Sequence, residues 1–109
     1  MQKLSLDAFA RVQLEAPGAR PPVGRPNRCF GGHEHVMRQT VIALLAGRSL
    51  AEHVNPGEAT VFVLRGRVRL VTDDAAWEGR QGDLIIVPAK PHSLDAIEDS
   101  AVLLTVAKK

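Results

Sequence analysis

The sequence predicts a single all-β domain, an antiparallel sandwich or barrel, on the basis of three observations. Short segments of alternating or β-branched residues follow one another at close spacing from residue 38 to residue 107. Turn-forming residues such as Gly47 and the pair Asp73 and Asp74 separate these segments. The chain has 109 residues, 45% of them hydrophobic, which is enough for one core and too few for two.

The strands are predicted from residue type and periodicity. Residues 67–72 begin with an alternation of basic and apolar side chains, Arg67, Val68, Arg69 and Leu70, and residues 59–64 are rich in β-branched residues. Further strands are predicted at residues 38–45, around Trp77, and at residues 84–87, 92–97 and 101–107. No internal repeat and no long core helix is predicted.

The N-terminal part of the chain has a different character. Residues 4–14 predict a short helix, with Ser5 as its N-cap, Asp7 in its first turn, and Leu6, Phe9 and Leu14 partly on one side. Residues 17–26 are dominated by proline, glycine and arginine, and we interpret them as an arm or linker along the body. The predicted division is therefore an irregular or short-helical N-terminal arm, residues 1–28, and a β-barrel domain, residues 29–109.

Charge and composition restrict the partners that we expect. Residues 1–28 hold five basic and two acidic side chains, but they lack the interleaved aromatic residues and recognition helix that would favour nucleic-acid binding. The longest apolar run, residues 41–46, is far shorter than the roughly 20 residues that span a bilayer. We therefore expect no membrane association and no nucleic-acid partner.

The single cysteine, Cys29, cannot form an internal disulfide, and no secretory signal is recognised, so a cytoplasmic location is predicted. Cys29 itself is interpreted as a small buried residue. The alternative, a thiolate ligand or nucleophile, would need an accessible electropositive setting that the sequence does not indicate.

Two glycine-led motifs, each carrying one histidine, are the most informative feature. In the first, Gly47 is followed after five residues by His53, and the motif closes with Val63-Leu64-Arg65-Gly66. In the second, Gly82 is followed after five residues by Pro88 and then by His92. This ordered pair resembles the two motifs of the cupin superfamily, in particular small single-domain bacterial cupins with degenerate metal-binding motifs. The resemblance implies an antiparallel double-sheet jelly roll, commonly a homodimer, with any site in the barrel mouth.

The resemblance assigns metal ligands to His53 and His92, but the other two ligand positions have changed. Asn55 stands where the second histidine is expected, and Ala59 stands where the glutamate is expected. Glu58 precedes that position by one residue, so it points to the opposite face of its strand unless a bulge re-aims it. Two imidazoles hold a divalent metal such as Zn, Fe, Mn or Ni weakly, because catalytic sites generally supply three protein ligands.

Two histidines near the N-terminus are candidate additions to this site. His33 and His35 share a strand face. If the segment ending near Ala46 folds back at Gly47 as a hairpin, His35 lies roughly 20 Å from His53, too far to share a metal unless an N-terminal strand is exchanged between subunits.

Several charged side chains near the motifs could take part in a site, but each could also be an ordinary solvent-exposed residue. Arg67 and Arg69 occupy one face of a strand, where they could bind an acidic ligand or form a solvated outer face. Glu52 and Glu58 flank His53 as candidate bases or ligands, or as exposed turn carboxylates. Lys90 replaces the glycine usual in the second motif, which predicts a reshaped turn before His92.

Three functions are compatible with these residues. The preferred hypothesis is a binding protein whose apolar mouth, bordered by His53, Asn55 and His92, holds a small molecule with or without a weakly held metal. The alternatives are a metal-dependent enzyme of the oxygenase or isomerase type, and a stand-alone sensory or regulatory cupin acting through a protein partner. No complete catalytic constellation is visible, so the sequence leaves enzymatic activity open. A homodimer is predicted because exposed Phe62 or Leu64 would otherwise leave an apolar patch.

Overall fold

The computed structural model describes residues 3–15, 25–30, 36–53 and 58–107. One helix and nine strands are found in these segments: α1 Leu6–Glu15, β1 Arg25–Phe30, β2 Met37–Leu44, β3 Ser49–His53, β4 Glu58–Arg65, β5 Arg67–Val71, β6 Ala76–Arg80, β7 Leu84–Ile86, β8 His92–Ala96 and β9 Ser100–Ala107. None of the helices in the described part of the chain is long and apolar enough to cross a membrane.

The strands form two antiparallel sheets that face each other. The five-stranded sheet has the order β1-β2-β9-β4-β7, and the four-stranded sheet has the order β3-β8-β5-β6. The arrangement is a double-sheet jelly roll, which confirms the predicted fold class. All seven strands predicted from periodicity are present, with boundaries shifted by at most two residues.

The core fills the space between the two sheets. Alternation within the strands builds it, since every second residue of β5 and β8 is buried while its neighbours are half-buried or exposed. The core cluster is entirely apolar and consists of Ile42, Ala59, Val61, Val63, Val68, Leu70, Ile85, Val87, Leu94 and Val102. The barrel interior is therefore filled by side chains.

The predicted N-terminal helix is present, and Ser5 begins it as expected. The Ala8 amide donates a hydrogen bond to the Ser5 Oγ at 3.2 Å. α1 lies against β2, β4 and β9 of the larger sheet, and Asp7 forms a 2.9 Å ion pair with Arg65. Its buried residues are Ala10 and Gln13, whereas Leu6, Phe9 and Leu14 are only half-buried.

β1 spans the predicted boundary between the N-terminal arm, residues 1–28, and the β-barrel domain, residues 29–109. It pairs with β2 from Arg25 opposite Ala43 to Phe30 opposite Gln39. Cys29 lies within this strand, whereas most of the arm predicted at residues 17–26 lies outside the described residues. The two-part division stays a prediction.

The hairpin considered for residues 38–53 does not form. β2 pairs with β1 and β9, while β3 pairs with β8 in the opposite sheet. The chain crosses between sheets at Gly47, whose amide donates to the Ala96 carbonyl at 2.9 Å. The distance of roughly 20 Å between His35 and His53 assumed that hairpin and therefore does not apply. His33 and His35 themselves lie outside the described residues.

Candidate functional site

His92 is a buried histidine at the start of β8, with only 3% of its surface exposed. Its Nδ1 lies 2.8 Å from the backbone oxygen of Lys90. A carbonyl oxygen only accepts, so the Nδ1 of His92 donates this hydrogen bond, which fixes the orientation of the ring and assigns its proton to Nδ1. The residue is therefore held in one position by its own turn.

The His92 ring borders a small apolar cavity between the two sheets. The cavity is about 20 Å³, which is room for about one or two water molecules. It is lined by His92 together with eight apolar side chains, namely Ile42, Leu50, Val61, Leu70, Val87, Leu94, Val102 and Leu104. Such a lining favours an apolar group and offers the imidazole as its one polar side chain.

His53 ends β3, and the strand register aligns it with His92. The two Cα atoms are antiparallel partners in the pairing of β3 with β8, although 38 residues separate them in the sequence. The pairing is irregular between Leu50 and His53. The backbone thus brings the two motif histidines to the same end of the smaller sheet.

The other sequence-predicted ligands are not brought to this point. Ala59 is only 6% exposed and belongs to the core, so a methyl group occupies the position of the expected glutamate. Glu58 is exposed, because β4 pairs regularly with β9 from Glu58 to Val63 without a bulge that would turn it inward. Asn55 lies outside the described residues, and Glu52 lies within β3.

Lys90 ties the turn before His92 to the turn between β5 and β6. Its ammonium lies 3.1 Å from the Asp74 carboxylate and 3.7 Å from that of Asp73. Hydrogen bonding to Lys90, helped by the Thr72 hydroxyl, lowers the pKa of Asp74, and the same contact with Asp74 raises the pKa of Lys90. The sequence analysis identified the change at Lys90 but did not predict its pairing with Asp73 and Asp74. The only signal in the sequence was that these two residues form an acidic turn.

The described residues do not fit a metal centre with three protein ligands. No group of three or more histidine, cysteine, aspartate or glutamate side chains with suitable placement occurs among them. The cavity beside His92 adds only hydrocarbon, and hydrocarbon side chains cannot coordinate a metal.

Arg67 and Arg69 lie on the outer face of β5, since Val68 and Leu70 between and beyond them are buried. Arg69 is 3.6 Å from Glu78, and Arg67 is 3.8 Å from both Glu78 and Glu98. Both arginines point away from the cavity beside His92, because the alternate residues Val68 and Leu70 face the core, and Arg67 also lies at the opposite end of β5 from Val71, which pairs with Ser93. They do not belong to the candidate site.

The two sheets, the three glycine turns and the histidine-bearing end together define a jelly roll of the cupin type. Residues 40–107 match the Cupin_2 family, a cupin domain, and the chain belongs to this family. The resemblance inferred from the two motifs is thereby confirmed. No curated protein gives a significant match to the sequence.

Several solved structures have the same architecture. A conserved protein of unknown function from Streptococcus pyogenes is 27% identical, with a TM-score of 0.72 over 83% of this chain and 78% of that one. An RmlC-like cupin protein from Desulfovibrio desulfuricans is 25% identical, with a TM-score of 0.77 and coverage of 98% and 96%. A cupin superfamily protein from Desulfitobacterium hafniense is 17% identical, with a TM-score of 0.79 and coverage of 99% and 92%. Shared fold alone does not identify a reaction.

Proposed function

We propose that this cupin binds a small, mainly apolar molecule at the histidine end of its barrel. The observation that supports the proposal is the buried and oriented His92, which is aligned with His53 and borders an otherwise apolar cavity. An apolar surface with one well-placed polar group is the usual composition of a small-molecule site.

The size of the cavity restricts how the molecule is held. Sites for drug-sized ligands measure roughly 300–1,000 Å³, whereas this cavity is about 20 Å³. The main part of the ligand therefore lies at the rim, and only a group of about methyl size enters beside Leu50 and Leu94. A hydroxyl on the ligand, which can donate a hydrogen bond, would then meet the imidazole of His92.

A small neutral alcohol, isobutanol, tests this proposal because it combines a branched apolar end with one hydroxyl. Methyl resonances of Leu50, Leu94 and Val102 should shift saturably during titration, with a Kd in roughly the millimolar range. Val87→Ile adds a methylene to the lining and should weaken binding. Val71→Ile is the matched control, because Val71 is half-buried in β5 and does not line the cavity.

Absence of a saturable shift in the wild-type protein would contradict the proposal, as would equal weakening by both valine substitutions. Circular dichroism of each variant separates lost binding from lost folding.

We also propose that a divalent metal can bind weakly to His53 and His92. With two imidazoles and no third described ligand, the metal would be held weakly, and water would complete its coordination. We expect metal analysis of the dialysed protein to give well below one equivalent of Zn, Fe, Mn or Ni. Near-stoichiometric metal that disappears in both His53→Ala and His92→Ala would instead favour a metal-dependent enzyme.

A further inference from the structure

A second concave surface lies at the other end of β5 from the histidines. It is a cleft of about 330 Å³ lined by Gly66, Arg67, Arg80, Gln81 and Glu98. Gly66 directly precedes β5 and Arg67 begins it. Val71, at the far end of the same strand, is the residue that pairs with Ser93 next to His92. The cleft is therefore separate from the site proposed above.

Two arginines face each other across this cleft. Arg67 and Arg80 are direct partners in the antiparallel pairing of β5 with β6. Both side chains lie on the outer face of the sheet, since Val68 and Gly79 beside them are buried. Like charges directly opposite each other on neighbouring strands repel, so a negative group close to both arginines would stabilise this pair.

The guanidinium of Arg67 lacks a hydrogen-bond partner at its Nε, which is buried and has no acceptor among the described residues. The nearest carboxylates, those of Glu78 and Glu98, are each 3.8 Å from Nε, beyond hydrogen-bond distance. A buried donor without an acceptor is uncommon in folded proteins, and an additional bound group is one explanation for it.

Arg80 has no charged partner within the described part of the chain. Its side chain is exposed, and the hydrogen bonds to Asp83 are made by its backbone: the Arg80 amide donates to the Asp83 carboxylate at 2.8 Å, and the Arg80 carbonyl accepts from the Asp83 amide at 2.8 Å. The guanidinium of Arg80 is thus available at the rim, directly across from Arg67.

The floor of the cleft is rigid. The Arg67 amide donates to the Ser100 hydroxyl at 3.0 Å, and that hydroxyl donates to the Glu98 carbonyl at 2.7 Å. The Ile97 amide donates to the Arg67 carbonyl at 2.9 Å. Ser100 is completely buried, so the backbone that carries Arg67 is fixed before any ligand arrives.

The lining of the cleft is positive overall. It holds two arginines, Arg67 and Arg80, and one carboxylate, Glu98, which leaves one net positive charge. Glu98 is 60% exposed, and an exposed ion pair of this length contributes little. An incoming anion can therefore replace Glu98 beside Arg67.

We propose that this cleft is an oxyanion site in which Arg67 and Arg80 bind a carboxylate or phosphate group of a small ligand. Guanidinium groups suit such ligands because their planar donors match two oxygens at once. The two arginines hold the anion from opposite sides, and the anion removes the repulsion between them and supplies the missing acceptor.

Calorimetric titration with inorganic phosphate, and separately with succinate, tests the site at constant ionic strength balanced with sodium chloride. We expect saturable binding of at least one of these anions, and the tighter of the two identifies the group that the site prefers. Arg80→Gln should raise the Kd by about tenfold or more, equivalent to about 1.4 kcal/mol. Arg67→Lys, which keeps the charge but loses the planar donors, should also weaken binding.

Arg48→Gln is the matched control, since it removes the same charge from an exposed position in the turn between β2 and β3. It should leave the Kd unchanged. The proposal is overturned if neither anion binds saturably to the wild-type protein, or if Arg48→Gln weakens binding as much as Arg80→Gln. Because Arg80 is exposed, its variant is expected to fold, and circular dichroism checks this.

Discussion

Gly47, Gly66 and Gly82 all adopt a positive φ, of 84°, 83° and 94° respectively, but their surroundings differ. A Cβ at Gly47 or Gly82 would meet no other atom within 4 Å. A Cβ at Gly66 would collide with the Ser100 hydroxyl and with the Asp99 carbonyl. The motif glycines thus share one conformational requirement, and Gly66 has a second, steric one.

This difference predicts the stability of two matched variants. Gly47→Ala should lower the free energy of unfolding by roughly 1–2 kcal/mol, the cost of a left-handed conformation with a Cβ. Gly66→Ala should lose a further 1–3 kcal/mol or so, because backbone and a buried hydroxyl must move to admit the methyl group. Urea denaturation monitored by circular dichroism measures both. Equal losses in the two variants would contradict the steric argument at Gly66.

At the scale of the elements, strands with a strong periodic pattern could be predicted from sequence. β5 alternates between basic and apolar residues from Arg67 to Leu70, and its buried Val68 and Leu70 are the ones that the pattern selects. β1 has no such signal, since Arg25–Phe30 contains proline, asparagine and two arginines and is recognised only through its pairing with β2. Which strands pair with each other depends on contacts between segments that are distant in the sequence, and the periodicity of a single segment does not predict those contacts.

The histidine site shows the same limit. The two motif histidines are recognised from spacing, but their alignment depends on β3 pairing with β8, and a local hairpin at Gly47 would not bring them together. The small cavity beside His92 could not be foreseen, because it depends on how side chains from both sheets fill the barrel. The exposed direction of Glu58 was predicted correctly, since it follows from the two-residue period of a regular strand.

The elements also act together around His92. The backbone of Lys90 orients the imidazole, while the side chain of Lys90 is paired with Asp74 in another turn. The pairing lowers the pKa of Asp74 and raises the pKa of Lys90. Both groups are therefore charged through the neutral range, and the pairing weakens in acid as Asp74 gains a proton and in strong base as Lys90 loses one.

At the scale of the whole molecule, the exposed apolar surface that suggests self-association does not include Phe62 and Leu64, the residues from which a homodimer is predicted in the sequence analysis. Phe62 and Leu64 are half-buried, whereas Trp77, Leu84 and Ile86 are 46%, 57% and 69% exposed. The exposed residues lie on β6 and β7, which are edge strands of the two sheets. Exposed apolar edges of this kind are commonly covered in natural proteins.

We therefore expect a homodimer in which the β6 and β7 edges of two copies meet. Sedimentation equilibrium should show a dimer in the wild-type protein and a shift towards monomer in Ile86→Lys, because a buried ammonium without a partner is costly. Trp77 is the only tryptophan, so its emission should move to longer wavelength as the variant dissociates. Val12→Lys is the matched control, since Val12 is 59% exposed on α1 and should leave the dimer intact. A wild-type protein that remains monomeric at all concentrations, or a dimer that Val12→Lys disrupts instead, would contradict this prediction.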